Sequence, residues 1–141
     1  VLATDASAEA LAVARENRAR LGFGNVVFVE SDWYDGVGDA HFDLIVSNPP
    51  YVAARDPHLT EGDLRFEPAA ALAAGADGLS ALRTIIAGAP ARLAPGGALV
   101  VEHGYDQSER VQALLRDAGC TNIVVRRDLA GIPRVAAGRI D

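Results

Sequence analysis

Short apolar runs alternate with segments of helical spacing along this chain, and that alternation limits its possible folds more than any other feature. Val1 to Thr4 is an apolar run that ends on Asp5, and it predicts a buried strand. Ser7 then stands as an N-cap before Ala8-Glu9-Ala10-Leu11, with an acid in the first turn. Leu11, Ala14, Arg18 and Leu21 follow at helical spacing, and Gly22 stops the helix. Val26 to Glu30 is rich in β-branched and aromatic residues, which predicts a strand. Asp35-Gly36 and Gly38-Asp39 mark a turn. Phe42 to Ser47 is a further strand, apolar enough to be buried on both faces. Helical spacing returns over Asp77 to Leu93, with Leu79, Leu82, Ile85, Ile86 and Leu93 on the periodic positions. Pro95-Gly96-Gly97 breaks it, and Ala98 to Glu102 is a strand. Gln107 to Ala118 is a helix closed by Gly119. Ile123 to Arg127 and Arg134 to Arg139 are strands joined by a turn at Gly131-Ile132-Pro133. The order β-α-β-β-loop-α-β-α-β-β predicts a largely parallel sheet covered by helices, ending in an antiparallel hairpin at the sheet edge.

Composition agrees with one folded domain. The chain has 141 residues, half of them hydrophobic and 23% charged, which supplies a core and argues against disorder. A net charge of -6 weighs against a free-standing nucleic-acid binder, which carries a basic face. The single cysteine, Cys120, rules out an intrachain disulfide and a cysteine metal site, and fits a reducing cytoplasm. No apolar run approaches the roughly 18 residues of a membrane span, and no signal peptide is visible. His41, His58 and His103 lack metal-ligand spacing, so no metal is expected. Arg126, Arg127, Arg134 and Arg139 form either solvated strand faces or a basic strip on the terminal hairpin. Residue 1 is Val inside an apolar run, which reads as a chain cut from something longer.

Three places carry chemistry. Asp5 sits at the carboxyl end of a strand, where open α/β sheets bind ligands, and there an acid either accepts from ribose hydroxyls or caps the next helix. Ser31-Asp32-Trp33 follows the next strand. Its carboxylate and aromatic plane suit an adenine ring, and equally a turn beside a half-buried Trp. Asn48-Pro49-Pro50-Tyr51 follows the third strand. Residues before proline are pushed toward extended geometry, so the backbone is stiff where Asn48 leaves the sheet. The Asn48 side-chain oxygen and the Pro49 carbonyl can then accept both N–H bonds of one amide or exocyclic amine, while Tyr51 offers a flat face. A stacked Tyr in a proline-rich turn is the bland alternative. An amide nitrogen is a poor nucleophile, and turning its lone pair toward a methyl group supplies what a base would not. Such alignment contributes about 7–11 kcal/mol in favourable cases. The stretch from Pro49 to Ala76 has no periodicity, which fits a lid or binding loop.

The tetrapeptide resembles the motif of amino-methyltransferases. Asp56-Pro57-His58-Leu59, Asp63-Leu64-Arg65-Phe66-Glu67-Pro68, Ala71-Leu72 and Asp77-Gly78-Leu79 narrow the likeness. So do Pro95-Gly96-Gly97, Glu102-His103-Gly104 with Gln107, Arg134-Val135 and Gly138-Arg139. Together they resemble the release factor glutamine methyltransferase family from Val1 to the C-terminus. That resemblance implies a Rossmann-like class I methyltransferase sheet, mostly parallel with a C-terminal antiparallel hairpin. It implies methyl transfer from S-adenosylmethionine to the side-chain amide nitrogen, N(5), of the glutamine in the Gly-Gly-Gln motif of class 1 peptide chain release factors, leaving S-adenosylhomocysteine. Asp5 matches the ribose-binding acid, and Trp33 with Asp32 the adenine contact. Asn48 matches the residue touching donor and amide. Pro49, Pro50 and Tyr51 complete the glutamine pocket, with Phe66 and Glu67 in the loop that shapes it. The family's glycine-rich donor loop, first strand and N-terminal helical domain have no counterpart here. The expectation is a slot in the sheet and a fragment, residues 1–141 of one methyltransferase domain, that binds the donor poorly. Micromolar binding by calorimetry would contradict it. The rivals are an amino-methyltransferase of nucleic acid, a ribosomal-protein glutamine methyltransferase, and a truncated binding module without activity. A cytoplasmic protein with a release factor as partner, no membrane and no direct nucleic-acid partner is expected.

Overall fold

The computed structural model describes residues 1–54 and 74–141. Its backbone groups into two compact units, Val1–Ala40 and His41–Asp141.

The first unit holds β1 (Leu2–Asp5), α1 (Ala8–Leu21) and β2 (Val27–Glu30). The two strands are parallel, with Leu2 opposite Val27 and Asp5 opposite Glu30. The helix between them starts and stops on the expected residues. The Ser7 hydroxyl accepts the Ala10 N–H at 3.1 Å. Gly22 closes the other end in the left-handed region at φ 73°, where a side chain is strained. Only Leu11 of α1 is buried, however, and Leu21 is 60% exposed. Arg18, on the expected apolar face, donates instead to the Val26 carbonyl at 2.8 Å.

The second unit holds β3 (Phe42–Ser47), α2 (Ser80–Gly88), a 3-10 turn (Ala89–Ala91), β4 (Leu93–Glu102), α3 (Ser108–Asp117), β5 (Thr121–Arg127) and β6 (Pro133–Arg139). Its sheet has the order β3-β4-β6-β5. β3 and β4 are parallel, and β6 is antiparallel to both β4 and β5. The terminal hairpin thus lies at one edge, as expected, with β6 inserted next to β4. The buried core comprises Leu79, Leu82, Ile85 and Ile86 around α2, Leu99 and Val101 on β4, Val111 and Leu115 on α3, and Ala136 on β6. Each of the Leu, Ile and Val side chains contributes about 1.5–3 kcal/mol through burial.

Three expectations are corrected. β1 is a strand but not a buried one: none of its residues is buried, and Val1 before it is 79% exposed. The periodic segment ending at Leu93 is not one helix. Pro90 opens the 3-10 turn, where α2 has already stopped at Gly88. Leu93 instead begins β4, opposite Phe42, and Pro95-Gly96-Gly97 lies inside that strand with a shift of register. Nor is β3 buried on both faces, since Leu44 is 55% and Val46 67% exposed. Among the described strands β3 is an outer strand, paired with β4 alone. β1 and β3 belong to different sheets.

Candidate active site

β3 and β4 run parallel up to the pair Ser47–Val101, so Asn48, just past β3, and Glu102, the last residue of β4, lie at the same carboxyl edge. Ligands of open α/β sheets bind at such edges. Asn48 is exposed there, while Pro49 directly behind it is buried. The proline ring anchors the turn, and the Asn48 amide is left toward solvent.

Tyr51 is held at both ends. Its hydroxyl donates to Oε1 of Glu102 at 2.9 Å. Its backbone carbonyl accepts from Nε2 of Gln107 at 2.9 Å. Burial, and then the hydrogen bond to Glu102, push the Tyr51 phenol above its ordinary pKa, so it stays a neutral donor. The chain beyond it is stitched down as well. Ala74 N–H donates to the Val52 carbonyl and Ala54 N–H to the Gly75 carbonyl, each at 2.9 Å.

The turn from β4 into α3 supplies the supporting groups. Gln107 is 6% exposed, and its Oε1 accepts the Gly104 N–H at 2.9 Å. His103 is fully buried, with Nδ1 2.8 Å from the Gly104 carbonyl, which puts its proton on Nδ1. Its Nε2 has no partner among the described residues. A cleft of about 400 Å³ opens beside these groups, lined by Tyr51, Glu102, Arg127, Asp128, Arg134 and Val135. Three of the terminal arginines serve local structure. Arg134 pairs with Asp128 at 3.3 Å, Arg127 donates to the Gly131 carbonyl and Arg139 to the Gly96 carbonyl. These bonds favour the structural reading over a basic strip. Among the described residues no cluster suits a metal ion, and no helix is long and apolar enough to cross a membrane.

In the first unit the structure brings Asp5 together with Asp32 and Trp33. Asp5 ends β1, and its carbonyl accepts the Ser31 N–H at 3.0 Å. The Asp5 carboxylate accepts the Ser7 N–H through Oδ1 at 2.8 Å, so it braces the entry to α1. A carboxylate has roughly four acceptor sites, so capacity for hydroxyl donors remains. Trp33 is half-buried and has φ 50°, in the left-handed region that a bulky residue seldom occupies. The Ser31 hydroxyl holds that turn, donating to the Trp33 carbonyl at 2.9 Å and accepting the Gly36 N–H at 2.8 Å. Strain kept by such bonds is a mark of binding sites. The loop residues Phe66 and Glu67 lie outside the described residues, as does His58.

Comparison with known proteins places this geometry in a class. The chain superposes on the ribosomal protein L11 methylase of Lactobacillus delbrueckii subsp. bulgaricus with a TM-score of 0.69 at 22% identity, covering 100% of this chain and 58% of that one. It also superposes on the N-methyltransferase NodS of Bradyrhizobium japonicum in complex with S-adenosyl-L-homocysteine, with a TM-score of 0.61 at 18% identity, covering 99% of this chain and 65% of that one. The fold is the α/β fold of class I methyltransferases. The methyltransferase small domain family matches residues 1–72, and the chain belongs to that family. The release factor glutamine methyltransferase of Xylella fastidiosa strain Temecula1 is 55% identical over 139 residues, 99% of this chain and 50% of its own length. The chain spans about half the length of the curated relatives it matches.

Glu102 and Gln107 belong to the likeness seen in the sequence, but no role for them was readable there. Tyr51 and Gln107 are 56 residues apart, and no local pattern links them.

Proposed function

We propose that residues 1–141 are the catalytic part of a cytoplasmic release factor glutamine methyltransferase. The observation that carries this reading is Asn48-Pro49-Pro50-Tyr51 at the carboxyl end of β3, with Tyr51 fixed at its hydroxyl and at its carbonyl. The identity to the curated relatives supports the same substrate, the Gly-Gly-Gln glutamine of a class 1 release factor.

S-adenosylmethionine supplies an electrophilic methyl group on a sulfonium. The residues present suit it: Asp5 would accept from the ribose hydroxyls, and Trp33 with Asp32 would take the adenine. Asn48 serves the acceptor amide. Its side-chain oxygen and the Pro49 carbonyl accept the two N–H bonds of the glutamine amide, and Tyr51 supports the amide plane. The lone pair of the amide nitrogen is then directed at the methyl carbon. The amide nitrogen so held would take up the methyl group that the donor supplies and would give up one proton to water. Acceptors already in place stabilise the positive charge that develops on nitrogen.

The test is a transfer assay with methyl-labelled donor, using the complete natural polypeptide that contains this chain. Class 1 release factor, ribosomal proteins, DNA and rRNA are offered in parallel. Label in release factor alone is expected; label in nucleic acid or in a ribosomal protein instead would overturn the substrate assignment.

A further inference from the structure

We infer that Glu102 and Gln107, on the turn between β4 and α3, are positioning residues that set the acceptor pocket by gripping Tyr51 at its two ends. This rests on the reading of Tyr51 as the floor of that pocket.

Gln107 carries the main-chain half of the grip. Both donors of its amide are committed, Nε2 to the Tyr51 carbonyl at 2.9 Å and to the Gly78 carbonyl at 3.3 Å. Its oxygen takes the Gly104 N–H. The opposite amide orientation would set an oxygen against two carbonyls, so the assignment is unambiguous. One buried side chain therefore ties together the substrate motif, the entry to α2 and the turn after β4. Gly78 is built into the same knot. It has φ +71°, and a Cβ there would lie 2.5 Å from the Tyr51 carbonyl oxygen and 2.6 Å from Nε2 of Gln107. No residue with a side chain fits that approach.

Glu102 carries the side-chain half, accepting from the Tyr51 hydroxyl across 51 residues of sequence. A side chain fixed at its hydroxyl and at its own carbonyl keeps one rotamer and one direction of its ring axis. The Pro49 carbonyl, two residues upstream of the fixed one, is aimed by the same restraint. Neither Glu102 nor Gln107 need touch the amide. They act through Tyr51, and their loss acts on alignment, hence on kcat.

The test uses the complete natural polypeptide and release factor as substrate. Glu102→Ala and Tyr51→Phe are each expected to lower kcat by about tenfold, and the double variant to be no worse than either single one. Glu102→Gln, which still accepts from the hydroxyl, recovers most of the loss. Gln107→Met, similar in volume but without donors, lowers kcat by roughly tenfold to a hundredfold. Donor affinity by calorimetry stays at the wild-type value throughout. Additive losses in the Tyr51/Glu102 cycle would overturn the inference, as would Glu102→Gln as damaging as Glu102→Ala, or Gln107→Met at wild-type kcat. If Gln107→Met fails to fold, the more exposed Tyr51/Glu102 pair decides. A wild-type protein that leaves release factor unmethylated overturns the assigned substrate instead. The grip is then judged by the χ1 rotamer of Tyr51, read from three-bond couplings in NMR spectra. A single rotamer in the wild type and averaged rotamers in Glu102→Ala support it, and averaging in both overturns it.

Discussion

In the proposed site Asn48 and Pro49 are neighbours of opposite exposure, Asn48 open to solvent and Pro49 buried. The stiff turn after β3 was legible in the sequence, because proline dictates backbone geometry locally and an apolar strand precedes it. Asn48→Ala should lower kcat by roughly 10²–10³, the cost of losing one aimed polar group. Its circular dichroism spectrum should match the wild type, since the side chain it removes is exposed; a loss of less than threefold would remove Asn48 from the chemistry. The left-handed conformation of Trp33 was not legible, because it depends on the Ser31 hydroxyl bonding two backbone groups at once. Cys120 illustrates a residue with a packing role only. It is 7% exposed, and burial pushes its thiol above the ordinary pKa. A Cβ on Gly138 would come within 2.7 Å of the Cys120 Cβ, so the strand and the thiol are in close contact. Ellman's reagent at pH 8 should therefore label the native protein far more slowly than the urea-unfolded one; equal rates would show the site to be open.

At the scale of elements, Asp77 joins α2 and α3. It bonds Arg83 of α2 and Arg110 of α3, each at 2.6 Å, and its Oδ1 also accepts the Leu79 N–H at 3.2 Å. The Arg83 guanidinium, the Leu79 N–H and Arg110 hold its carboxyl well below the ordinary carboxylate range. The sign follows from the depressed pKa. The unfolded state binds the proton more tightly, so this contribution is complete above about pH 4 and drains away as the pH falls below that. Asp77→Asn should lower the Tm by only a few degrees at pH 7, because the pair is solvent-screened, and the difference from wild type should shrink toward pH 2. A gap that persists undiminished at pH 2 would contradict this. The helix ends at Gly22 and Gly119 were readable from glycine chemistry, and both take positive φ. The end of α2 was not, because Leu93 falls seven residues after Ile86 and so imitates another turn of the same face. Pro90 was the available signal, and periodicity alone outweighed it.

At the scale of the whole molecule, the alternation of strands and helices was sufficient for the fold class, and the terminal hairpin followed from two strands with no helix between them. Which strands pair was not sufficiently specified. An apolar run such as Phe42–Ser47 states a capacity for burial, and Leu44 and Val46 show that capacity unfilled in an outer strand. Candidate site residues were legible in proportion to their locality. Asn48-Pro49-Pro50-Tyr51 is contiguous and could be singled out in the sequence, whereas Glu102 and Gln107 reach Tyr51 only through the fold. The proposed function requires this contiguous motif to hold a glutamine amide for methylation. The most direct measurement is tandem mass spectrometry of class 1 release factor after incubation with the complete natural polypeptide and S-adenosylmethionine. One added methyl group is predicted, on the side-chain nitrogen of the Gly-Gly-Gln glutamine, and it should be missing when Asn48→Ala replaces the wild type. A methyl group on any other residue, or one that persists in Asn48→Ala at the wild-type rate, would contradict the account.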